Sequence, residues 1–342
     1  MRKLSRRSIL LLAAGLPVLA GACTPSPPLL AASTARRTAG LPRSPGATAL
    51  VTFDTTPFPF HGIAPGRTQA FLDVSDNGRL GHSSLRNGVL WEDQTYSEKR
   101  VLLSIPKGFD PRRPSAIVVF LHGNEAQLER DVRDRQGVAR QLAQSDMNAV
   151  LVAPQFALDA KDSSAGRFWE PGVFAQFLKE AGRRLAVLNG TPDAAFVFDE
   201  APVILVGYSG GYLPAAAALR YGGAGRRIRG VVLLDALYGE QETFETYIAH
   251  RGSGVFVSLY GKSSRDGNEA LRRRLVARGV PIVDDSLTQA IGPGSVVFVD
   301  AGDAVAHGDF VTGALGGDPL TAVLSRLRGF PRDPAGGLLA SE

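Results

Sequence analysis

The chain has 342 residues, of which 44% are hydrophobic and 21% charged, so it can bury the core of one large domain or two small ones. This composition excludes a fibrous protein, a disordered chain and a disulfide scaffold. The net charge of +5 falls to +1 without residues 1–22, because the rest of the chain has 34 basic and 33 acidic residues. The charge therefore gives no support for nucleic-acid binding.

Residues 1–22 have the pattern of an export signal. A basic start is followed by an apolar run over residues 9–20 and by small residues at 20–22, where a signal peptidase requires them. The apolar run is too short to span a bilayer comfortably as a permanent helix. The pair Arg6-Arg7 lies in a context similar to a twin-arginine export motif, although Leu11 replaces the lysine often found there. We therefore expect export across a bacterial inner membrane into the periplasm.

Cys23 is the only cysteine and directly follows the expected cleavage site. The residues before it resemble a bacterial lipobox, except that Leu19 lies one residue too early and Ala20 occupies the usual leucine position. Two alternatives follow: a lipoprotein tethered through Cys23, or a secreted protein with a free thiol at its new terminus. Residues 23–48 are rich in Pro, Ser, Ala and Thr and predict a flexible tether. Membrane contact is expected only through a lipid at Cys23.

The next part of the chain predicts antiparallel strands followed by a buried strand. Apolar segments at residues 50–53 and 69–74 alternate with turn formers, and residues 76–78 predict a turn. Residues 99–106 continue this pattern. Residues 116–121 form an apolar run of the kind that is buried on both faces of a sheet.

Strands and helices alternate after this point. Helices are predicted over residues 125–144 and 173–188, with a strand at 149–154 between them. The alternation predicts an α/β protein with a doubly wound, mostly parallel sheet and right-handed crossovers. The loop over residues 159–172 contains Phe168-Trp169, which either lies near the mouth of a site or pins a surface loop.

The most informative motif lies at residues 203–211. An apolar run continues into Gly207-Tyr208-Ser209-Gly210-Gly211, and an alanine-rich helix follows at once. A Gly-x-Ser-x-Gly turn between strand and helix exposes the serine at the strand end, and its glycines are needed because a β-carbon would meet the neighbouring strand or helix. The helix start offers N–H groups and a positive dipole end to an oxyanion. The alternative is a glycine-rich turn with a capping serine, but the flanking strand and helix favour a nucleophile.

In this strand, turn and helix context the motif resembles that of the α/β-hydrolase superfamily, over about residues 95–330. The resemblance implies an α/β-hydrolase domain over residues 49–342, with Ser209 as the nucleophile. It also implies an oxyanion hole made from the N–H of Gly210 and that of Gly123 or Asn124, in the loop after the strand at 116–121. His122, which precedes the serine in the chain, is expected to have a structural role.

The last strand is predicted over residues 295–300. The family order of serine, acid and histidine implies that His307 is the base, because it alone of the five histidines lies in a loop after this strand. Two residues are candidates for the acid. Asp235 ends an apolar strand, whereas Asp266 lies in the turn after the following strand, where most family members carry the acid. Asp235 is favoured because a buried strand end orients an imidazole better than a flexible loop. Each could instead be structural, Asp235 as a helix cap and Asp266 as a turn former.

The superfamily usually inserts a lid domain at the position of residues 236–254, which here have room for little more than one helix, so no large lid is expected. The resemblance implies a serine hydrolase that cleaves carboxylic esters of small or polymeric acyl substrates. The alternatives are a peptidase or amidase acting on cell-envelope or peptide substrates, and a catalytically silent binding protein. No cofactor or metal is expected, because the chain has no Gly-x-Gly-x-x-Gly after the first parallel strand, no phosphate loop and no paired histidines at helical spacing.

Overall fold

Short runs of aliphatic and aromatic residues form the strands of this protein. The structure is a computed structural model that describes residues 38, 40–284 and 287–333. The export signal, Cys23 and most of the tether predicted from the sequence lie outside the described residues. The strands of the described part are β1 (Ala47–Thr52), β2 (Val74–Asp76), β3 (Arg79–Ser84), β4 (Gly88–Trp91), β5 (Arg100–Ile105), β6 (Ala116–Leu121), β7 (Ala149–Pro154), β8 (Val203–Tyr208), β9 (Ile228–Leu234), β10 (Val255–Tyr260), β11 (Val283–Asp284) and β12 (Val296–Asp300).

The central sheet has nine strands in the order β1-β5-β7-β6-β8-β9-β10-β12-β11. The strands from β7 to β11 in this order run parallel to one another, and β5 is antiparallel to both of its neighbours. β2, β3 and β4 form a separate antiparallel sheet. A mostly parallel, doubly wound sheet was predicted from the alternation of strands and helices, and the α/β-hydrolase fold class is confirmed.

Alternate residues of the parallel strands contribute to two hydrophobic cores, one on each face of the sheet. In β6, Ile117 and Val119 belong to one core, and Val118 and Phe120 belong to the other. Because both faces are covered, β6, β7, β8 and β10 are buried along their whole length. Both cores and all the strands named above lie within one compact unit, Thr38–Glu342, so this unit contains the interactions that fold it.

Seven α-helices are found in the described part of the chain. They are α1 (Glu92–Thr95), α2 (Val138–Ala143), α3 (Val173–Leu188), α4 (Tyr212–Tyr221), α5 (Gln241–His250), α6 (Arg265–Ala277) and α7 (Pro319–Leu324). α3 has the predicted bounds. The segment between β9 and β10 contains α5 and no inserted domain, as expected from its length. Over residues 40–284 and 287–333, no helix combines the length and the apolar character that crossing a membrane requires.

Two local predictions were wrong. The predicted helix over residues 125–144 is broken, because Leu128–Arg135 forms a π-helix and Gly137 adopts a left-handed φ of 58° before α2 begins. The predicted strand over residues 69–74 is shortened to its last residue, where β2 begins. Phe71 is buried in an aromatic cluster instead, with its ring 5.8 Å from that of Phe58.

Candidate active site

Loops from five neighbouring parallel strands meet at one edge of the central sheet. Ser209 follows β8, Asp235 follows β9, and His307 lies in the loop after β12. The loops after β6 and β10 bring residues 123–124 and 263–264 to the same edge. The carboxyl ends of parallel strands lie side by side, and in open α/β sheets this edge is where ligands bind. Residues that are far apart in the sequence therefore form one site.

Ser209 lies on the sharp turn that its motif predicts. Its φ is +53°, in the left-handed region that costs a non-glycine residue about 1–3 kcal/mol. The turn is tightly packed: a β-carbon on Gly211 would lie 2.1 Å from the carbonyl oxygen of Leu121, and one on Gly207 would lie 3.0 Å from that of Gly211. The predicted need for glycine at both positions is confirmed, most strongly at Gly211.

Ser209, His307 and Asp235 form a continuous chain of hydrogen bonds. Oγ of Ser209 lies 2.8 Å from Nε2 of His307, and Nδ1 of the same imidazole lies 2.6 Å from Oδ2 of Asp235. An ionised carboxylate only accepts hydrogen bonds, so Nδ1 must carry the ring proton. Nε2 is then left with its lone pair directed at the serine hydroxyl, which is the tautomer that a general base needs.

The Asp235 carboxylate is buried, with 1% of its side chain exposed, and is held by several donors. Besides His307, the hydroxyls of Ser263 and Ser264 and the N–H of Gly261 donate to it. Burial raises the pKa of Asp235, but the hydrogen bonds from His307, the two serines and Gly261 outweigh this effect and lower the pKa to about 2. The group is therefore ionised at neutral pH and accepts the Nδ1 proton.

Asp266, the other candidate acid, does not lie against the imidazole. It is exposed in the first turn of α6, where a carboxylate is favoured by the helix dipole. The sequence placed Asp266 in the turn after a strand, whereas α6 begins at Arg265 and Asp266 is its second residue. Of the two candidates, the structure brings Asp235 to His307.

Two tyrosines surround the His307 ring. The Tyr208 ring stacks on it with centroids 5.1 Å apart and planes at 22°, and the Tyr238 ring meets it edge-on at 6.4 Å. Burial raises the pKa of Tyr208 to about 12, so this phenol is neutral. The side chain of His307 remains 39% exposed, so the serine and the imidazole can be reached from solvent. The ring is thus held in one orientation in an open site.

The residues predicted to form the oxyanion hole lie around Ser209. A β-carbon on Gly123 would lie 2.7 Å from the β-carbon of Ser209, and one on Gly210 would lie 2.8 Å from Oδ1 of Asn124. Gly210 is the second residue of the 3₁₀ turn Ser209–Gly211, and the first N–H groups of a helix have no partner within it. Oδ1 of Asn124 accepts a hydrogen bond of 2.8 Å from the hydroxyl of Ser163. Gly123, Asn124 and Gly210 are therefore brought together beside the serine.

His122 supports this loop from inside the core. Its Nδ1 donates to the carbonyl of Gly123 at 2.7 Å, and its Nε2 accepts from the N–H of Phe156 at 2.9 Å. Burial lowers the pKa of His122 to about 4, so the ring is neutral at pH 7. These contacts agree with the structural role expected for it.

The loop over residues 159–172 combines the two roles that the sequence left open. Phe168 is fully buried, and the Trp169 ring packs edge-on against Phe60 at 5.7 Å, so the aromatic pair pins the loop. The same loop carries Ser163, which contacts Asn124 and Gly210. The loop reaches the site through a serine instead of through its aromatic residues.

Sequence reasoning missed Ser163, Ser263 and Ser264. The last two lie in the loop after β10, whose flexibility was used as an argument against Asp266. A sequence signal was present, because consecutive strands of an α/β sheet are usually neighbours, and this loop follows the strand that comes after β9 in the chain. Ser163 had no such signal, since its place depends on how a long loop folds.

Comparison with known proteins gives structural likenesses only. No protein-family model matches the chain, and no curated protein matches it. An S-formylglutathione hydrolase from Agrobacterium tumefaciens is 12% identical, with a TM-score of 0.40, and the match covers 73% of this chain and 94% of that one. The feruloyl esterase module from Clostridium thermocellum is 12% identical, with a TM-score of 0.40 and coverage of 79% and 96%. An esterase from Pyrobaculum calidifontis is 14% identical, with a TM-score of 0.37 and coverage of 80% and 82%.

Proposed function

We propose that this protein is a serine hydrolase that cleaves carboxylic esters through an acyl-enzyme intermediate. The observation that carries the proposal is the hydrogen-bond chain from Ser209 through His307 to Asp235, next to the N–H groups of Gly210 and the loop at 123–124. A serine hydroxyl is a weak nucleophile until a base removes its proton, and the base must be held in one tautomer. The distances and the ionised state of Asp235 support the proposal that His307 is such a base.

In the proposed reaction, Oγ of Ser209 attacks the acyl carbon while Nε2 of His307 takes its proton. The ionised Asp235 stabilises the resulting imidazolium. The negative charge on the former carbonyl oxygen is stabilised by N–H groups at Gly210 and Asn124 or Gly123, and one such donor is typically worth a factor of about 10²–10³ in rate. His307 then protonates the departing alkoxide, and water repeats the sequence on the acyl enzyme to release the acid.

The open site is compatible with small or polymeric acyl groups. Between β9 and β10 the chain forms α5 alone, and Tyr238, just before this helix, is 43% exposed. An ester is proposed over an amide on the family resemblance, because the same residues could protonate either leaving group.

Labelling with a fluorophosphonate tests the proposal, using residues 38–342 together with the variants Ser209→Ala and His307→Ala. We expect modification of Ser209 alone, its loss in Ser209→Ala and strongly slowed labelling in His307→Ala. If the folded protein is not labelled and cleaves no ester, the proposal is wrong and the catalytically silent binding protein is favoured instead. Ester and anilide substrates with the same acyl chains then distinguish an esterase from an amidase. Faster cleavage of the anilides would indicate an amidase.

We also propose that the protein is exported and carries a lipid on Cys23. The support is the apolar run at residues 9–20 and the position of Cys23 directly after the expected cleavage site. The test is the mass of the mature amino-terminal peptide from a bacterial host, compared with Cys23→Ser. A diacylated peptide beginning at Cys23 is expected, and an unmodified terminus in the periplasmic fraction would show a secreted protein instead.

A further inference from the structure

A concave surface with residues from the edge of the sheet opposite Ser209 lies outside the candidate active site. It consists of two adjoining cavities of about 810 Å³ and 270 Å³, which share Arg226, Arg229 and Ser253. These residues lie where β9 and β10 begin, and Pro202 in the smaller cavity directly precedes β8. The residues that the two cavities share therefore lie at the amino ends of central strands, whereas the candidate active site lies at their carboxyl ends. The larger cavity continues along α5 from His250 to Glu242.

Positive charge dominates this surface. Two glutamates, Glu242 and Glu200, line the cavities together with six arginines, an excess of four positive charges. By comparison, the whole chain after residue 22 has an excess of only one positive charge. We call this surface the arginine face; its arginines are Arg220, Arg226, Arg227, Arg229, Arg251 and Arg328.

These arginines are held by neutral groups or point into solvent. Arg229 donates to the hydroxyl of Ser253, Arg251 donates to the carbonyl of Gly294 at 3.0 Å, and Arg227 donates to the carbonyl of Phe198 at 2.8 Å. Arg220, Arg226 and Arg328 are exposed. Within the described residues, none of the six lies within 4.0 Å of a carboxylate, whereas many arginines elsewhere form ion pairs, for example Arg265 with Asp300 and Asp303. Glu200 and Asp199 act on Arg227 from a distance, so acidic groups offset part of the positive charge of the arginine face without forming an ion pair within the described residues.

The chain enters the domain at this same edge. β1 and β7 are both antiparallel to β5, so β1 runs parallel to the central strands and its amino end lies at the same edge of the sheet as the arginine face, although β5, β7 and β6 lie between β1 and β8. Ahead of β1, the N–H of Ser44 bonds the carbonyl of Phe109 at 2.9 Å, and the Phe109 ring stacks on Phe198 at 6.1 Å. Phe198 is the residue whose carbonyl accepts from Arg227. A short path of contacts thus connects the start of the domain to the arginine face.

We propose that the arginine face binds the anionic phospholipid headgroups of a membrane, with the edge that carries Ser209 directed away from the bilayer. Guanidinium groups bind phosphate through paired hydrogen bonds, and arginines from several strand ends and loops can contact several headgroups at once. A flexible tether that joins the domain at this edge keeps the arginine face within reach of the surface to which the tether is attached, and the charge of the face then favours this orientation. Arginine contacts add to any lipid on Cys23, because stable membrane attachment takes two signals.

Vesicle co-sedimentation of residues 38–342 tests this proposal without the contribution of a lipid anchor. The probe is a vesicle of phosphatidylcholine with about one third phosphatidylglycerol, compared with phosphatidylcholine alone. The test variant is Arg226→Glu with Arg229→Glu. The matched control is Lys179→Glu with Arg183→Glu, which changes the net charge equally. These two residues are exposed on α3, where Glu180 accepts the N–H of Asp54 at 3.1 Å, just past the carboxyl end of β1.

We expect the wild-type protein to bind the anionic vesicles and not those of phosphatidylcholine alone. The affinity should be about 30-fold lower for Arg226→Glu with Arg229→Glu, and within about threefold of wild type for Lys179→Glu with Arg183→Glu. Ester cleavage by each variant reports whether it is folded, and circular dichroism does so if the protein cleaves no ester. Failure of the proposed hydrolysis would therefore leave the binding result intact. The proposal would be overturned if wild-type residues 38–342 did not bind the anionic vesicles, or if both double variants lost the same amount of affinity. Release by millimolar inorganic phosphate but not by chloride of equal ionic strength would also overturn it, because it would indicate a site for a soluble anion.

Discussion

Oδ2 of Asp235 lies 2.6 Å from Nδ1 of His307, although the two residues are 72 positions apart in the chain. The contact joins the end of β9 to the loop after β12. The backbone of Asp235 is fixed as well, because its N–H continues the ladder to β10 by bonding the carbonyl of Leu259 at 2.8 Å. The imidazole is thus oriented by a residue that belongs to the rigid edge of the sheet.

Replacing this acid should affect catalysis far more than replacing the other candidate. Asp235→Asn removes the acceptor that keeps the proton on Nδ1 of His307, so we expect kcat/KM for an ester to fall by about 10³–10⁴. Asp266→Asn, on the exposed turn of α6, should stay within about twofold of wild type. Steady-state kinetics on both variants check this, and a larger loss from Asp266→Asn would transfer the role to that residue.

The lowered pKa of Asp235 predicts a pH-dependent contribution to stability. The pKa is about 2 in the folded protein against an ordinary 3.8, so the contribution is complete above pH 4 and is lost as the pH falls toward 2. A shift of this size corresponds to about 2 kcal/mol of unfolding free energy. Urea denaturation should therefore show a difference between wild type and Asp235→Asn that is constant from pH 7 to pH 5 and falls to about half at pH 3. A difference that does not change over this range would contradict the prediction.

Gly211, directly before α4, lies so close to β6 that we predict it cannot be replaced without loss of stability. In Gly211→Ala the new β-carbon would lie 2.1 Å from the carbonyl oxygen of Leu121, a backbone atom that cannot rotate away. We expect a loss of about 3 kcal/mol in unfolding free energy and of most activity. Gly313→Ala is the control, because no atom lies within 4 Å of the added carbon, and it should change stability by less than about 0.5 kcal/mol. Equal effects of the two substitutions would show that the turn relaxes easily.

Ser163 is expected to position the oxyanion side of the site. Ser163→Ala removes the hydrogen bond to Oδ1 of Asn124, so we expect kcat to fall about tenfold with little change in KM. The neighbouring Ser164 bonds Asp162 instead, and Ser164→Ala should leave kcat within about twofold of wild type. The comparison of kcat with KM is decisive, because an increase in KM alone would indicate a contact that stabilises the bound substrate and the transition state equally.

Much of the fold followed from local patterns. Apolar runs of six residues predicted the buried strands, and the bounds of α3 were predicted to the residue. Predictions failed where a single residue or a tertiary contact decided the conformation. Gly137 breaks the predicted helix over residues 125–144, and burial of Phe71 among other aromatic rings replaces the predicted strand over 69–74.

The sequence by itself determined the turn at Ser209 and the candidate histidine, because both depend on short patterns and on chain order. Only the tertiary structure decided between Asp235 and Asp266 and revealed the support that Ser263 and Ser264 give to the acid. These contacts depend on strand order and register, which bring the ends of β9, β10 and β12 together from distant parts of the chain. The arginine face has the same origin: its arginines are spread from Arg220 to Arg328 in a chain of nearly balanced charge, and only the packing of strand and helix ends concentrates them on one surface.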